Sequence, residues 1–307
     1  NGKAVLHFTI TKAHLEQFET KFESIQQLIE TKTNTKFDIT FSNQDPNTDV
    51  LAVDLKNQPF RLNNRLLFRP SGHGALIKNL NQIDADVIFI KNVDNVVVNK
   101  YLNEVVSYKK ALAGLLLKIQ NQIFIYAKDL EVTEVSKTKI KEIALFLTQK
   151  LNVIISPEFK KYPIKHQVKY LKSKINRPIR VCGMVKNESE PGGGPFWVKH
   201  ENGEISLQIV EASQVNESLK NQKEILTNAT HFNPVDIVCG VKNYKGEAYD
   251  LEQFIDNSTY FVTIKSKYGH KLKTLERPGL WNGSMSHWNS IFVEVPIITF
   301  NPVKTVN

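Results

Sequence analysis

Residues 68–97 read FRPSGHGALIKNLNQIDADVIFIKNVDNVV, and the order of features in this stretch sets the expected fold. Gly72, His73 and Gly74 stand at the mouth of a short helical segment, where glycines let a ligand approach the backbone and the positive helix end closely. DVIFI at 86–90 is a continuous apolar run, the pattern of a central parallel strand covered on both faces. Immediately past it come Asn92, Val93, Asp94 and Asn95. Open α/β sheets keep their ligands beyond the carboxyl ends of such strands, so the two features together point to a nucleotide and a metal. Taken singly, a turn or a helix cap accounts for either one.

The flanking sequence extends this pattern. Upstream, Leu15, Phe18, Phe22, Ile25, Leu28 and Ile29 recur at helical spacing, and FDITF at 37–41 alternates as a half-buried strand does. DVLAVDL at 49–55 is a further strand candidate. Downstream, helices are expected at about 100–122 and at 137–150. Alternating strands and helices argue for an α/β layered sheet. Composition changes after Pro178, where PIRVCGMV looks like a buried strand. The segment 191–215, PGGGPFWVKHENGEISLQIVEASQV, reads as a glycine loop followed by two strands that turn at Asn202 and Gly203. We therefore expect residues 1–177 to form the α/β part, and 178–307 a β-rich part of the same composite domain.

The 307-residue chain carries 40 Lys and Arg against 31 Asp and Glu, a net charge of +9. That excess suits phosphate-bearing ligands, but a solvated basic face is the better account of it as a whole. The most basic stretch, 160–180, reads as an amphipathic helix and lacks the base-stacking pattern of a nucleic-acid module. No apolar run is long enough for a membrane span. Neither a nucleic-acid nor a membrane partner is expected. Cys182 and Cys239 both lie in apolar runs, as small core residues do, and without a disulfide framework a reducing cytoplasm is the default compartment.

Several residues are candidates for chemistry. Asp94 has the character of an Mg²⁺ ligand, since that ion takes one or two protein carboxylates beside phosphate oxygens; Asn92 and Asn95 are placed to position it or to contact ribose. Three consecutive glycines, Gly192, Gly193 and Gly194, cost backbone entropy and suggest close approach by something, a flexible loop between strands being the usual alternative. Glu211 ends a strand, where it can accept from sugar hydroxyls or face water. His231, Asn233 and Asp236 insert polar groups into an apolar stretch, His231 with a structural rather than catalytic character. Lys304 follows a rigid Pro-Val pair; a lone lysine is by default solvated, and one held after a Pro can instead act as a point charge on phosphate. Trp281 and Trp288, seven apart, read as packing on one helical face. No Ser–His or Cys–His pair stands out.

Taken in order, these segments resemble the UDP-sugar pyrophosphorylases, nucleotidyltransferases with a Rossmann-like, glycosyltransferase-A-type mixed sheet flanked by helices; the likeness is to a bacterial branch. RPSGHG at 69–74 looks like that family's uridine-contacting segment, and Asp94-Asn95 like its metal-binding Asp-Asn. Gly192-Gly193 with Val210-Glu211 is similar to its sugar-contacting pieces. FNPVD at 232–236 resembles its Phe-Asn-x-x-Asn segment, with Asp236 in place of the second Asn, and FNPVK at 300–304 places Lys304 on phosphate. The resemblance implies nucleotide contacts from Gly72, His73, Gly74, Asn92 and Asn95 and sugar contacts from Gly192, Gly193, Glu211, Asn233 and Asp236. It implies an Mg²⁺ ion on Asp94, and UTP with a sugar 1-phosphate as substrates. The family also begins with a glycine-rich triphosphate loop. Before Gly72 this chain has only Gly2, so that loop is expected upstream of Asn1, leaving this chain inactive alone. A nucleotide-sugar-dependent glycosyltransferase and a non-catalytic nucleotide-sugar-binding module remain open as alternatives.

Overall fold

The computed structural model describes residues 2–303 except 189–191, 202 and 268. The chain is mixed α/β and divides into two units, Asn1–Ile83 with Asn257–Leu280, and Asp84–Asp256 with Trp281–Asn307. The change of composition after Pro178 lies inside the second.

In unit 1, β1 (Gly2–Thr9) and β2 (Thr35–Ser42) pair in parallel, joined by α1 (Leu15–Thr33). The apolar face read from sequence exists, and its aromatic members do the packing: Phe22 lies 5.2 Å from Phe8 and 5.9 Å from Phe41, ring centre to ring centre. Leu28 remains exposed. Helix α1 ends where Asn34 takes a left-handed conformation, the usual stop for a helix. Short ladders follow, β3 (Val50–Leu51) with β6 (Phe68–Arg69) and β4 (Arg61–Leu62) with β5 (Arg65–Leu66). One turn of 3₁₀ helix at His73–Leu76 then leads into α2 (Ile77–Asn81). The antiparallel hairpin β12 (Phe261–Lys267) and β13 (His270–Glu276) completes the unit, bridged by Val53 and Lys273 through reciprocal backbone bonds of 3.0 and 2.7 Å.

Unit 2 is built on a four-stranded mixed sheet. Its strands are β7 (Ile88–Lys91), β8 (Ile179–Lys186), β11 (His231–Gly240) and β14 (Asn289–Glu294), in the order β14-β8-β11-β7. Strand β11 is antiparallel to both neighbours, while β14 and β8 are parallel. The apolar DVIFI run therefore forms neither a central nor a parallel strand. It is the sheet's edge, and Phe89 is half exposed. The strands buried on both faces are β8, whose RVCGMV segment is covered throughout, and β11, covered from Phe232 to Gly240.

Helix α3 (Leu102–Asp129) packs on β8 and β11, and α4 (Lys137–Lys150) and α5 (Ile164–Ile175) join it in the same core. Leu112, Leu116, Ile119 and Ile123 recur at helical spacing along α3 and join Ile143 and Leu147 of α4, Leu171 of α5 and Val181 of β8 in one core. Helix α4 starts at a capping serine, Ser136, whose hydroxyl accepts from the Lys139 N–H. The expected hairpin is present, as β9 (Gly193–Lys199) and β10 (Ile205–Glu211) in antiparallel register, with Gly203 between them; Asn202 of the expected turn lies outside the described residues. Helix α6 (Lys220–Thr227) leads from it into β11. Both cysteines are buried and unpaired. Trp281 and Trp288 lie in irregular structure before β14 rather than on one helix, with only Trp288 fully buried.

Candidate functional site

In unit 2, β7 delivers the segment containing Asp94 to the end of the sheet. The Asn95 N–H bonds the Asn92 carbonyl at 3.2 Å, which closes the turn. Asn95 is buried, and both ends of its amide are engaged: Nδ2 donates to the Thr299 carbonyl at 3.3 Å, and Oδ1 accepts from the Asn301 N–H at 2.8 Å. Backbone bonds from Val96 to Asn301 and from Val303 to Asp94 complete the seam. Two segments more than two hundred residues apart, NVDN and FNPV, are thereby held side by side. The Asn95 side chain fastens this turn, leaving Asp94 half-buried at its tip.

Opposite the end of β7, strand β11 breaks its register between Phe232 and Asp236. Val235 sits there at φ +57°. A β-branched residue in the left-handed region is a true outlier that costs about 1–2 kcal/mol, and such strain concentrates at functional sites. The Val235 N–H is held by Oδ1 of the buried Asn233 at 3.1 Å. The bulge aims Asp236 at Lys109 of α3, with which it forms a tight ion pair, and places it across the ladder from Lys91. Lys91 reaches solvent at its residue surface, yet its ammonium is held below the usual lysine range by packing around it and then by Lys109, with Asp236 opposing. Sequence reading found Asn233 and Asp236 but missed Lys91 and Lys109. The only local signal was a lysine closing an apolar strand.

The glycine run lies against the same part of β11. Gly193 pairs with Glu211 and Gly194 with Val210. A Cβ on Gly194 would stand 2.6 Å from the His231 carbonyl oxygen, and one on Gly192, at φ +146°, 2.5 Å from the Phe232 ring. What approaches these glycines is the chain itself. Glu211 receives a 3.2 Å bond from the Trp281 indole N–H and caps the following turn reciprocally with Gln214. His231 is structural in its contacts: Nε2 lies 3.0 Å from Glu294, whose carboxyl it holds below the ordinary range. Gly193, Glu211, Asn233 and Asp236 thus lie on β9, β10 and β11, with Gly192 just before β9.

Gly72, His73 and Gly74 belong to unit 1, and there too the close approach is internal. Gly72 has φ +80°, and a Cβ on it would overlap the Glu276 carboxylate at 1.9 Å; one on Gly74 would meet the Pro278 carbonyl oxygen at 2.1 Å. The Leu280 N–H donates to His73 Nδ1 at 3.0 Å, which leaves the imidazole proton on Nε2. Ser71 next to it is fully buried, and its hydroxyl has no partner among the described residues.

Lys304 lies outside the described residues. Among the described residues no three or more His, Cys, Asp or Glu side chains cluster to hold a metal, so a caged site of the zinc kind is absent there. A single half-buried carboxylate at Asp94 fits what Mg²⁺ asks of a protein when phosphates supply the other oxygens. No described helix is long and apolar enough to cross a membrane.

Over residues 1–307 the chain matches the family described as Domain of unknown function (DUF4301), and it belongs to that family. No curated protein matches it in sequence. Among solved structures it is similar to a substituted UDP-glucose pyrophosphorylase from Leishmania major, with a TM-score of 0.47 and 11% identity over 98% of this chain and 53% of that one. Open and closed structures of the Leishmania major enzyme give 0.45 and 14% over 98% and 53%. A UDP-glucose phosphorylase from Trypanosoma brucei gives 0.46 and 14% over 99% and 52%. The chain spans about half the length of these structures.

Proposed function

We propose that this member of the DUF4301 family serves sugar-1-phosphate nucleotidyl transfer, in which a sugar phosphate oxygen attacks the α-phosphorus of UTP and pyrophosphate leaves. The observation that carries the reading is the junction of three motif segments in unit 2. The Asp94 turn is seamed to residues 299–303, and the strained bulge of β11 places Asp236 beside Lys91 and Lys109 at the end of the strand that bears Asp94. Such chemistry needs no side-chain nucleophile; it needs positioning and neutralisation of phosphate charge. Lys91 and Lys109 bring two cations to one buried carboxylate, a surplus of positive charge suited to a phosphate. Lys304 would add a third by its motif position. Asp94 would hold Mg²⁺, which when bound supplies charge neutralisation on the phosphates. Glu211 and Asn233 would orient the sugar.

Calorimetric titration of UTP and of UDP-glucose, each with and without Mg²⁺, into the native chain and into Asp94→Asn tests the reading. Asp94→Asn nearly preserves shape and removes the charge a hard cation prefers. Binding should strengthen with Mg²⁺ in the native chain, and that enhancement should disappear in Asp94→Asn while metal-free binding persists. Absence of nucleotide binding to the native chain, or a full Mg²⁺ enhancement in the variant, would overturn it.

A further inference from the structure

The β9–β10 hairpin carries a second constellation that the nucleotide chemistry does not use. His200 closes the hairpin turn through its backbone, its N–H bonding the Glu204 carbonyl at 2.8 Å. Its ring Nδ1 lies 3.1 Å from Oδ2 of Asp256, and its Nε2 lies 2.5 Å from Oγ of Ser206. Both His200 and Asp256 have largely buried side chains.

The proton directions follow from neighbouring groups. Nε2 of Gln208 donates to the Ser286 carbonyl, which only accepts, and also to Ser206 Oγ, both at 2.8 Å. The amide nitrogen therefore faces Ser206, so Ser206 accepts from Gln208 and is left to donate its own proton to His200. The Asp256 carboxylate only accepts, so the neutral imidazole carries its proton on Nδ1 and presents a bare Nε2 to Ser206. This is the arrangement in which a histidine takes a serine proton while a carboxylate holds its tautomer.

The constellation opens on a cavity of about 60 Å³ lined by His200, Ser206, Gln208, Arg177, Trp288 and Asn289, among others. Trp288 Nε1 and Asn289 Nδ2, both on buried residues of this wall, find no partner among the described residues. A buried donor without a partner costs about 1–3 kcal/mol, whereas two such donors in the wall of a cavity that a serine also lines can serve a developing oxyanion.

We propose that Ser206, His200 and Asp256 form a nucleophilic triad that cleaves short-chain carboxylic esters. Ser206 Oγ attacks the ester carbonyl carbon as its proton passes to His200 Nε2. The carbonyl oxygen takes up the negative charge within reach of the Trp288 and Asn289 donors. Collapse breaks the C–O bond, and the departing alcohol takes the proton from His200. Water, deprotonated by His200, then attacks the acyl-serine, and its collapse returns the proton to Ser206 and releases the acid. The cavity holds about four or five water-sized groups, which limits the acyl part to the size of acetyl. Arg177 in its wall favours a polar or anionic alcohol. Ser206 is the nucleophile, His200 the general base, and Asp256 a positioning residue.

The test uses the native chain with a fluorophosphonate probe and with p-nitrophenyl acetate. The probe should form one adduct, mapped to Ser206 by peptide mass spectrometry and absent after denaturation. Ser206→Ala and His200→Gln should each lower ester turnover at least a hundredfold with unchanged circular dichroism. Asp256→Asn should lower kcat by a similar factor at nearly constant KM, and Asp256→Glu, which again accepts from Nδ1–H, should recover at least a tenth of the rate. Because the adduct is read on the native chain, the test does not depend on any variant folding. Slow labelling spread over exposed serines, no Ser206 adduct at saturating probe, or unchanged turnover in Ser206→Ala overturns the proposal.

Discussion

Replacing Lys109 by Met keeps an apolar stem of similar length and removes the charge that faces Asp236. The Asp236 side chain is 3% exposed and that of Lys109 is 23% exposed. Stranding a fully buried charge costs about 3–5 kcal/mol. Here the nearby Lys91 supplies partial compensation, and the pair's lysine end is wet, so about 2–4 kcal/mol is expected for Lys109→Met. Asp236→Asn should cost less, about 1–2 kcal/mol, because the freed lysine can turn its head to water while its stem stays packed. The double variant should fall short of the sum of the two by about 1–2 kcal/mol, the coupling of a contacting pair. The three tryptophans, Trp197, Trp281 and Trp288, all lie in unit 2, so urea denaturation followed by tryptophan fluorescence reports this unit. If Lys109→Met costs less than about 0.5 kcal/mol, the size of an ordinary surface change, or if the two substitutions simply add, the pair is no buried ion pair. The account of the bulge as a device for aiming Asp236 would then fail.

Two further outcomes concern unit 1. Gly74→Ala should destabilise it by about 1–3 kcal/mol, the usual cost of overpacking, because the added Cβ meets a backbone carbonyl that cannot rotate away; unchanged hydrogen exchange at α2 and β13 would show that the loop has room. The Glu30 carboxyl is pulled down to about 2 by Lys36, then by the Phe37 N–H and Gln26. A carboxyl lowered in the folded state stabilises it above its ordinary 4.5 and loses that contribution as pH falls toward 2. Glu30→Gln should therefore flatten the acid limb of α1 unfolding, measured by circular dichroism between those pH values, and an unaltered limb would refute the linkage.

Local pattern in the chain determined the elements and the order of the motif segments. Helix α4 occupies the residues 137–150 that its periodicity marks, the β9–β10 hairpin turns in the stretch that contains Gly203, and α1 presents the face its phenylalanines define. These features depend on neighbours a few residues apart, whose geometry a helix or a tight turn dictates. Partner choice does not. The apolar run at 86–90 looks the same whether one or two strands flank it, and only the pairing with β11, nearly 150 residues on, makes β7 an antiparallel edge. The same limit applied to the glycines: their composition signals close approach, but that His231, Phe232, Glu276 and Pro278 are what approaches is a property of the folded chain. Lys109 meets Asp236, and His200 meets both Ser206 and Asp256, because chain return brings them within bonding distance, while strand register sets Lys91 across the ladder from Asp236. Charge, hydrogen-bond direction and strain arise from such long-range contacts, so the chemistry of these sites was decided by tertiary structure.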